Sequence, residues 1–125
     1  MGKARVLYIE DNIDNMTLVK RVLEIEGYEV ISAETGQDGL NKAQANGPDI
    51  VITDINLPDI DGYEITRILK NNTKTSHIPV VAMTANVMQK HRDSVAAAGC
   101  DGFISKPINI DELPDQIESY LKGAV

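Results

Sequence analysis

The sequence predicts a doubly wound α/β domain in which five parallel strands alternate with five helices. Five short apolar runs recur along the 125 residues, and turn-forming or polar residues bound them, as is typical of strands in a buried sheet. Segments with apolar residues on one helical face separate these runs. Parallel strands need such crossover helices, and right-handed crossovers place helices on both faces of the sheet. The predicted strands are Val6–Ile9, Tyr28–Ile31, Asp49–Asp54, Ile78–Met83 and Asp101–Ile104.

Start and stop signals delimit the first two helices. The first helix ends at Gly27, because glycine commonly terminates helices. The strand Tyr28–Ile31 alternates as a strand with one polar-tolerant face does. The second helix begins near Thr35, whose hydroxyl can cap it, and ends at Gly47-Pro48.

The second half of the chain repeats this pattern. Asp49–Asp54 is predicted to be a strand buried on both faces, and a turn-rich loop follows from Asn56 to Gly62. Asn86 and Gln89 have capping-box spacing for a fourth helix that ends at Gly99. Apolar stripes define the other helices: Met16, Val19, Val22 and Leu23; Tyr63, Ile65, Ile68 and Leu69; and Ile110, Leu113, Ile117 and Leu121, with Pro114 in the first turn of the last one.

The composition is that of one globular domain spanning residues 1–125. Apolar residues make up 42% and charged residues 25%, which argues against disorder. The net charge of −7 disfavours direct binding to a nucleic-acid backbone. Cys100 has no second cysteine with which to form a disulfide or a CxxC metal site. The apolar run before Glu10 is too short for a signal peptide or a membrane span, so we expect a cytoplasmic protein without membrane contact.

The second predicted strand leads to Ser32 and Glu34, which are assigned no role, and the other four strands lead to charged or hydroxyl side chains that could form one site. They are Glu10-Asp11, Asp54, Thr84 and Lys106. Ligands of an open α/β sheet bind at the carboxyl ends of its strands, so these side chains are expected to meet there. Two carboxylates about 4 Å apart repel each other by roughly 4 kcal/mol at an effective dielectric constant of about 20, so either one carboxyl takes up a proton or a cation binds. Oxygen ligands with room for water suit Mg²⁺.

Lys106 and Thr84 add features that point to phosphate chemistry. An ammonium group and a hydroxyl beside a metal ion can bind the oxygens of a phosphoryl group. A carboxylate at that point, Asp54, can act as the nucleophile and form an aspartyl phosphate. Each residue also has a simpler interpretation: Asp11 as a helix cap, Asp54 as a turn residue, Thr84 as a strand-end residue and Lys106 as a solvated lysine. Their joint occurrence in one order favours the phosphoryl site.

These residues make the sequence similar to the receiver domains of two-component signalling, from about Val6 to Leu121. The motifs are Glu10-Asp11, Asp54, Leu57-Pro58-Asp59-Ile60-Asp61-Gly62, Thr84-Ala85 and Lys106-Pro107. The resemblance implies a flavodoxin-like (βα)5 fold with strand order 2-1-3-4-5. It also implies that Asp54 is the phosphoacceptor and that Mg²⁺ binds directly to Asp11, Asp54 and the backbone carbonyl of Asn56. Glu10 would act through a coordinated water, and the Lys106–Pro107 peptide would be cis.

The resemblance further implies how the protein signals. The donor would be a histidine kinase or a histidine phosphotransfer protein. Thr84 and Phe103, which replaces the family's more common tyrosine, would form the switch. The face built from the fourth helix, the fifth strand and the fifth helix would then change its affinity for a downstream protein. Such a protein assists its own phosphorylation and dephosphorylation but is not an enzyme in the usual sense. The start at Met1 favours a single-domain regulator over a receiver cut from a hybrid kinase.

Three other functions are disfavoured. A phosphatase of the haloacid dehalogenase type needs a second acid two residues after its nucleophile, where Asn56 stands. A flavodoxin-like electron carrier needs a phosphate-binding loop rich in Ser, Thr and Gly after the first strand, but this loop is acidic. A receiver that binds partners without being phosphorylated would not need Asp54, Thr84 and Lys106 together.

Overall fold

The computed structural model describes residues 4–85 and 99–122 and confirms the doubly wound architecture. Its five strands form one parallel sheet in the order β2-β1-β3-β4-β5, as expected. The strands are β1 (Arg5–Ile9), β2 (Glu29–Ala33), β3 (Ile50–Asp54), β4 (Val80–Thr84) and β5 (Gly102–Ser105). The helices are α1 (Ile13–Ile25), α2 (Gly36–Asn46), α3 (Gly62–Lys70) and a C-terminal helix (Leu113–Leu121), which is the fifth predicted helix. The fourth predicted helix, which begins at Asn86, lies outside the described residues.

The prediction for the C-terminal helix is wrong at its start. Ile110 was expected on the apolar stripe, but the helix begins at Leu113 and the Ile110 side chain is 43% exposed. Asn109 caps a single turn, since its side-chain oxygen accepts from the Asp111 and Glu112 N–H groups and its carbonyl accepts from the Leu113 N–H. Pro114 has no N–H to donate to the Ile110 carbonyl, so the regular helix begins only at Leu113. This turn occupies the chain before Pro114, which lies in the first helical turn as predicted.

The sheet separates two apolar layers, because side chains of a strand alternate between its faces. One layer packs strand residues such as Val6, Tyr8 and Ile52 against α1 and the C-terminal helix. The other packs Leu7 and Val51 against α2 and α3. Every residue of β3 and β4 is buried, as expected for central strands of a parallel sheet.

Side chains that cap the helices fix the loops near the carboxyl edge of the sheet. Asn12 caps α1 by accepting a hydrogen bond from the Asn15 N–H. The alternative interpretation of Asp11 as this cap is therefore wrong. Thr35 caps α2 as predicted, and Gly47 ends that helix with a φ of 58°.

A long-range contact ties the loop before α3 to α2. The Asp59 carboxylate accepts hydrogen bonds from the backbone N–H groups of Gly36 at 2.8 Å and Gln37 at 2.9 Å. A negative charge at a helix N-terminus is favourable, so Asp59 stabilises both segments. Among the described residues, no helix has the length and apolar character that a membrane span requires.

Candidate functional site

The strand-end side chains predicted from the sequence lie along the carboxyl edge of the sheet. Glu10 and Asp11 follow β1, and Asp54 is the last residue of β3. Thr84 is the last residue of β4, and Lys106 follows β5. Because β1, β3, β4 and β5 are consecutive neighbours in the sheet, residues far apart in the chain come to one edge.

Three carboxylates form a compact acidic cluster at this edge. Oxygen atoms of Glu10, Asp11 and Asp54 lie within 4.8 Å of one another. Glu10 and Asp54 are buried, whereas Asp11 is exposed. Such a group of oxygen ligands with one open side fits a hard divalent ion such as Mg²⁺. Asn56 lies two residues beyond Asp54 in the exposed loop.

Lys106 bridges the two buried acids. Its Nζ atom lies 3.1 Å from Oε1 of Glu10 and 3.2 Å from Oδ1 of Asp54. The lysine side chain is 18% exposed, so water screens these ion pairs only partly. The structure thus places a positive charge directly beside the predicted acceptor.

Glu10 is oriented by three hydrogen-bond donors. Oε1 accepts from Lys106 and, at 2.9 Å, from the hydroxyl of Tyr8, and Oε2 accepts from the Asn12 N–H at 3.2 Å. Sequence reasoning missed Tyr8. The available signal was a tyrosine in an otherwise aliphatic strand, two residues before an acid and therefore on the same face.

The electrostatics of the cluster differ between its two buried acids. Burial alone would raise the pKa of Glu10, but hydrogen bonds from Lys106 and Tyr8 lower it. Burial and the nearby charge of Glu10 raise the pKa of Asp54, against the attraction of Lys106. Burial alone would lower the pKa of Lys106, but its contacts with Glu10 and Asp54 raise it. Asp54 is thus the buried acid whose negative charge the fold stabilises less well.

The start of α3 packs directly against the backbone that carries Asp54. The Gly62 N–H donates to the Ile55 carbonyl at 2.9 Å. A Cβ atom on Gly62 would lie 2.7 Å from the Asp54 carbonyl oxygen and 2.8 Å from the Ile55 Cα atom. Only glycine permits this approach without displacing the backbone, so Gly62 helps to fix the position of Asp54.

The two predicted switch residues lie on the same face of the sheet. Thr84 is buried, and its carbonyl accepts the Lys106 N–H at 2.8 Å. Phe103 pairs in register with Ala82, two residues before Thr84. Phe103 is partly buried against Ile55 and Ala82. The Lys106–Pro107 peptide is cis, as the resemblance implied.

Comparison with known proteins establishes the family. The model of the response regulator receiver domain matches residues 6–118. The chain therefore belongs to the response regulator receiver family. Members are signalling proteins of two-component systems rather than classical enzymes, and the family implies histidine kinase partners and downstream targets.

Individual relatives agree with this assignment. The polar-differentiation response regulator DivK of Brucella ovis is 39% identical over 119 residues, which cover 95% of this chain and 97% of DivK. The chemotaxis response regulator CheY4 of Vibrio cholerae superposes with a TM-score of 0.88 at 29% identity, covering 92% of this chain and 96% of CheY4. The receiver domain of the sensor histidine kinase PA1611 of Pseudomonas aeruginosa has a TM-score of 0.88 at 28% identity, with coverages of 95% and 98%. That structure contains a magnesium ion coordinated in its active site cleft.

Proposed function

We propose that residues 1–125 act as one receiver domain in which Asp54 accepts a phosphoryl group from a phosphohistidine. The donor is a histidine kinase or a histidine phosphotransfer protein. The observation that carries the proposal is the environment of Asp54, which is buried at the carboxyl edge between two further acids and Lys106. Burial and the neighbouring charge of Glu10 raise the pKa of Asp54, which supports the binding of a further cation beside it.

The acidic cluster is the proposed Mg²⁺ site. Asp11, Asp54 and the backbone carbonyl of Asn56 would bind the ion directly, and Glu10 would bind it through water. The oxygen atoms of three carboxylates within 4.8 Å support this fit. The ion, when bound, supplies positive charge to the oxygens of the phosphoryl group. The magnesium ion in the similar PA1611 receiver domain supports the same choice of metal.

The transfer forms one bond and breaks another at phosphorus. A carboxylate oxygen of Asp54 attacks the phosphorus atom while the P–N bond to the donor histidine breaks, and the imidazole nitrogen keeps the electron pair. Lys106, which already contacts Asp54 at 3.2 Å, then pairs with an oxygen of the transferred group. Glu10 remains as the second partner of Lys106 and limits its movement.

Phosphorylation adds about −1.5 to −2 charges and three acceptor oxygens at Asp54. The Thr84 hydroxyl moves towards the phosphoryl group and donates to one of these oxygens. Phe103 then repacks beside Ile55 and Ala82. Because Phe103 has no hydroxyl, its two positions differ by packing alone. The face that contains β5 and the C-terminal helix changes its affinity for a downstream protein.

The proposal is tested with a phosphotransfer domain carrying a labelled phosphohistidine. The wild-type chain should take up label in the presence of Mg²⁺, and the label should be released by hydroxylamine, as acyl phosphates are. Asp54→Asn should abolish uptake, whereas Asp115→Asn, a matched change at an exposed aspartate of the C-terminal helix, should preserve it. Full labelling of wild type in EDTA, or undiminished labelling of Asp54→Asn, would refute the assignment.

A further inference from the structure

Tyr8 carries a polar group into the hydrophobic core below the acidic cluster. Its side chain is fully buried, and its hydroxyl lies 2.9 Å from Oε1 of Glu10 and 3.6 Å from Sδ of Met83. The hydroxyl has one proton, and an ionised carboxylate is a much stronger acceptor than a thioether. Tyr8 therefore donates to Glu10.

The ring of Tyr8 is held firmly by its neighbours. Tyr8 pairs in register with Ile52 of β3 and Ser32 of β2, and its ring packs in the layer that contains Val19 and Met83. Close packing of this kind leaves one rotamer for the ring. The hydroxyl is consequently a fixed donor, supplied by the interior strand β1 rather than by a loop.

The three donors to Glu10 differ in their other contacts and in their burial. Lys106 shares its ammonium group with Asp54, and in the proposed mechanism it also pairs with an oxygen of the phosphoryl group. Asn12 donates from the backbone of the exposed turn before α1. Of these three donors, Tyr8 is fully buried and directs its hydroxyl at Glu10, so it does not divide its proton between two acids as Lys106 divides its ammonium group.

We propose that Tyr8 is a positioning residue for the acidic cluster: its hydroxyl fixes the Glu10 carboxylate in the orientation from which Glu10 contacts hydrated Mg²⁺. The inference rests on the proposed function of the site and adds the donor that orients Glu10. Residues that orient a metal site in this way typically affect metal affinity by about 10- to 100-fold.

Binding of Mg²⁺ alone provides the test, since it requires no phosphoryl donor. Mg²⁺ is added to the metal-free protein and the dissociation constant is obtained from backbone amide chemical shifts. Tyr8→Phe should weaken binding by about 10-fold, at the lower end of that range because two donors to Glu10 remain. Tyr28→Phe is the matched control, since Tyr28 belongs to the same core layer but precedes β2, at the opposite edge of the sheet. Its affinity for Mg²⁺ should equal that of wild type.

A double-mutant cycle then shows whether Tyr8 acts through Glu10. In a Glu10→Gln background, Tyr8→Phe should cause no further loss of affinity. Three results overturn the inference: an unchanged dissociation constant in Tyr8→Phe, an equal loss in Tyr28→Phe, or a full additional loss in the Glu10→Gln background.

Phosphoryl uptake by wild type is measured in parallel. Normal binding of Mg²⁺ with no uptake at Asp54 refutes the proposed function but not the role of Tyr8. Normal uptake with an unchanged dissociation constant in Tyr8→Phe refutes the role of Tyr8 alone.

Discussion

Replacing Asp54 with asparagine should stabilise the metal-free protein. Oxygens of Glu10 and Asp11 lie within 4.8 Å of an Asp54 oxygen, and at an effective dielectric constant of about 20 each repels it by at least roughly 3.5 kcal/mol. Lys106 lies 3.2 Å from Asp54, and the same arithmetic gives an attraction of roughly 5 kcal/mol. The two repulsions together exceed the attraction by about 2 kcal/mol.

Two corrections act on this balance. Asp11 is exposed, so water and salt reduce its repulsion below the value for a buried pair. Burial of the Asp54 charge acts in the opposite direction and raises its pKa further. We therefore expect Asp54→Asn to raise the free energy of unfolding by about 1–2 kcal/mol at neutral pH. The asparagine oxygen can still accept a hydrogen bond from Lys106, so the ammonium group keeps a partner at this position.

Urea unfolding in EDTA, followed by circular dichroism, measures the effect. Because the pKa of Asp54 is raised, its ionised form lowers the free energy of unfolding at pH values above that pKa. This loss of stability disappears as the pH falls through the raised pKa. The advantage of the variant should therefore shrink in acid. Adding Mg²⁺ should stabilise wild type and have a smaller effect on Asp54→Asn, while Asp115→Asn should respond to Mg²⁺ like wild type. A variant less stable than wild type in EDTA, or an equal response to Mg²⁺, would contradict this reasoning.

Three further predictions concern α3 and the loops on either side of it. Gly62→Ala should destabilise the fold by about 1–3 kcal/mol, because the added Cβ atom would lie 2.7 Å from the Asp54 carbonyl oxygen. An unchanged urea unfolding curve would show that the backbone accommodates the Cβ atom without loss of stability. Thr75→Val should cost about 1–3 kcal/mol, since the buried Thr75 hydroxyl donates to the Leu69 carbonyl at 2.7 Å; an unchanged melting temperature would count against it. Asp59→Asn should lower stability near neutral pH, because the N–H donors of α2 lower the Asp59 pKa. That loss should vanish as the pH falls through the lowered pKa, and a difference that persists in strong acid would exclude this cause.

The sequence predicted the strands well because their pattern depends on local chemistry. Observed strand bounds differ from the predicted ones by at most two residues. Ile78–Met83 was predicted for the strand that runs from Val80 to Thr84. Such errors do not displace the site, since Thr84 remains at the carboxyl end of the strand in either case.

Contacts between distant segments were not predictable in the same way. The hydrogen bonds from Asp59 to the start of α2 join residues 22 and 23 positions apart, and nothing in either segment identifies the other. The start of the C-terminal helix was likewise misplaced: Asn109 caps one turn around Ile110, and the missing N–H of Pro114 separates that turn from the regular helix. In both cases a short polar side chain bonds backbone groups, which hydrophobic periodicity does not report.

The contacts of Glu10 explain why adjacent acids after β1 suit different tasks. A carboxylate offers about four lone-pair positions, and Glu10 already accepts bonds from Tyr8, Lys106 and the backbone of Asn12. Direct coordination of a metal would have to compete with these donors. Asp11 is exposed at the open side of the cluster. This difference supports direct binding of Mg²⁺ by Asp11 and a water-mediated contact for Glu10, which the sequence suggested only through family resemblance.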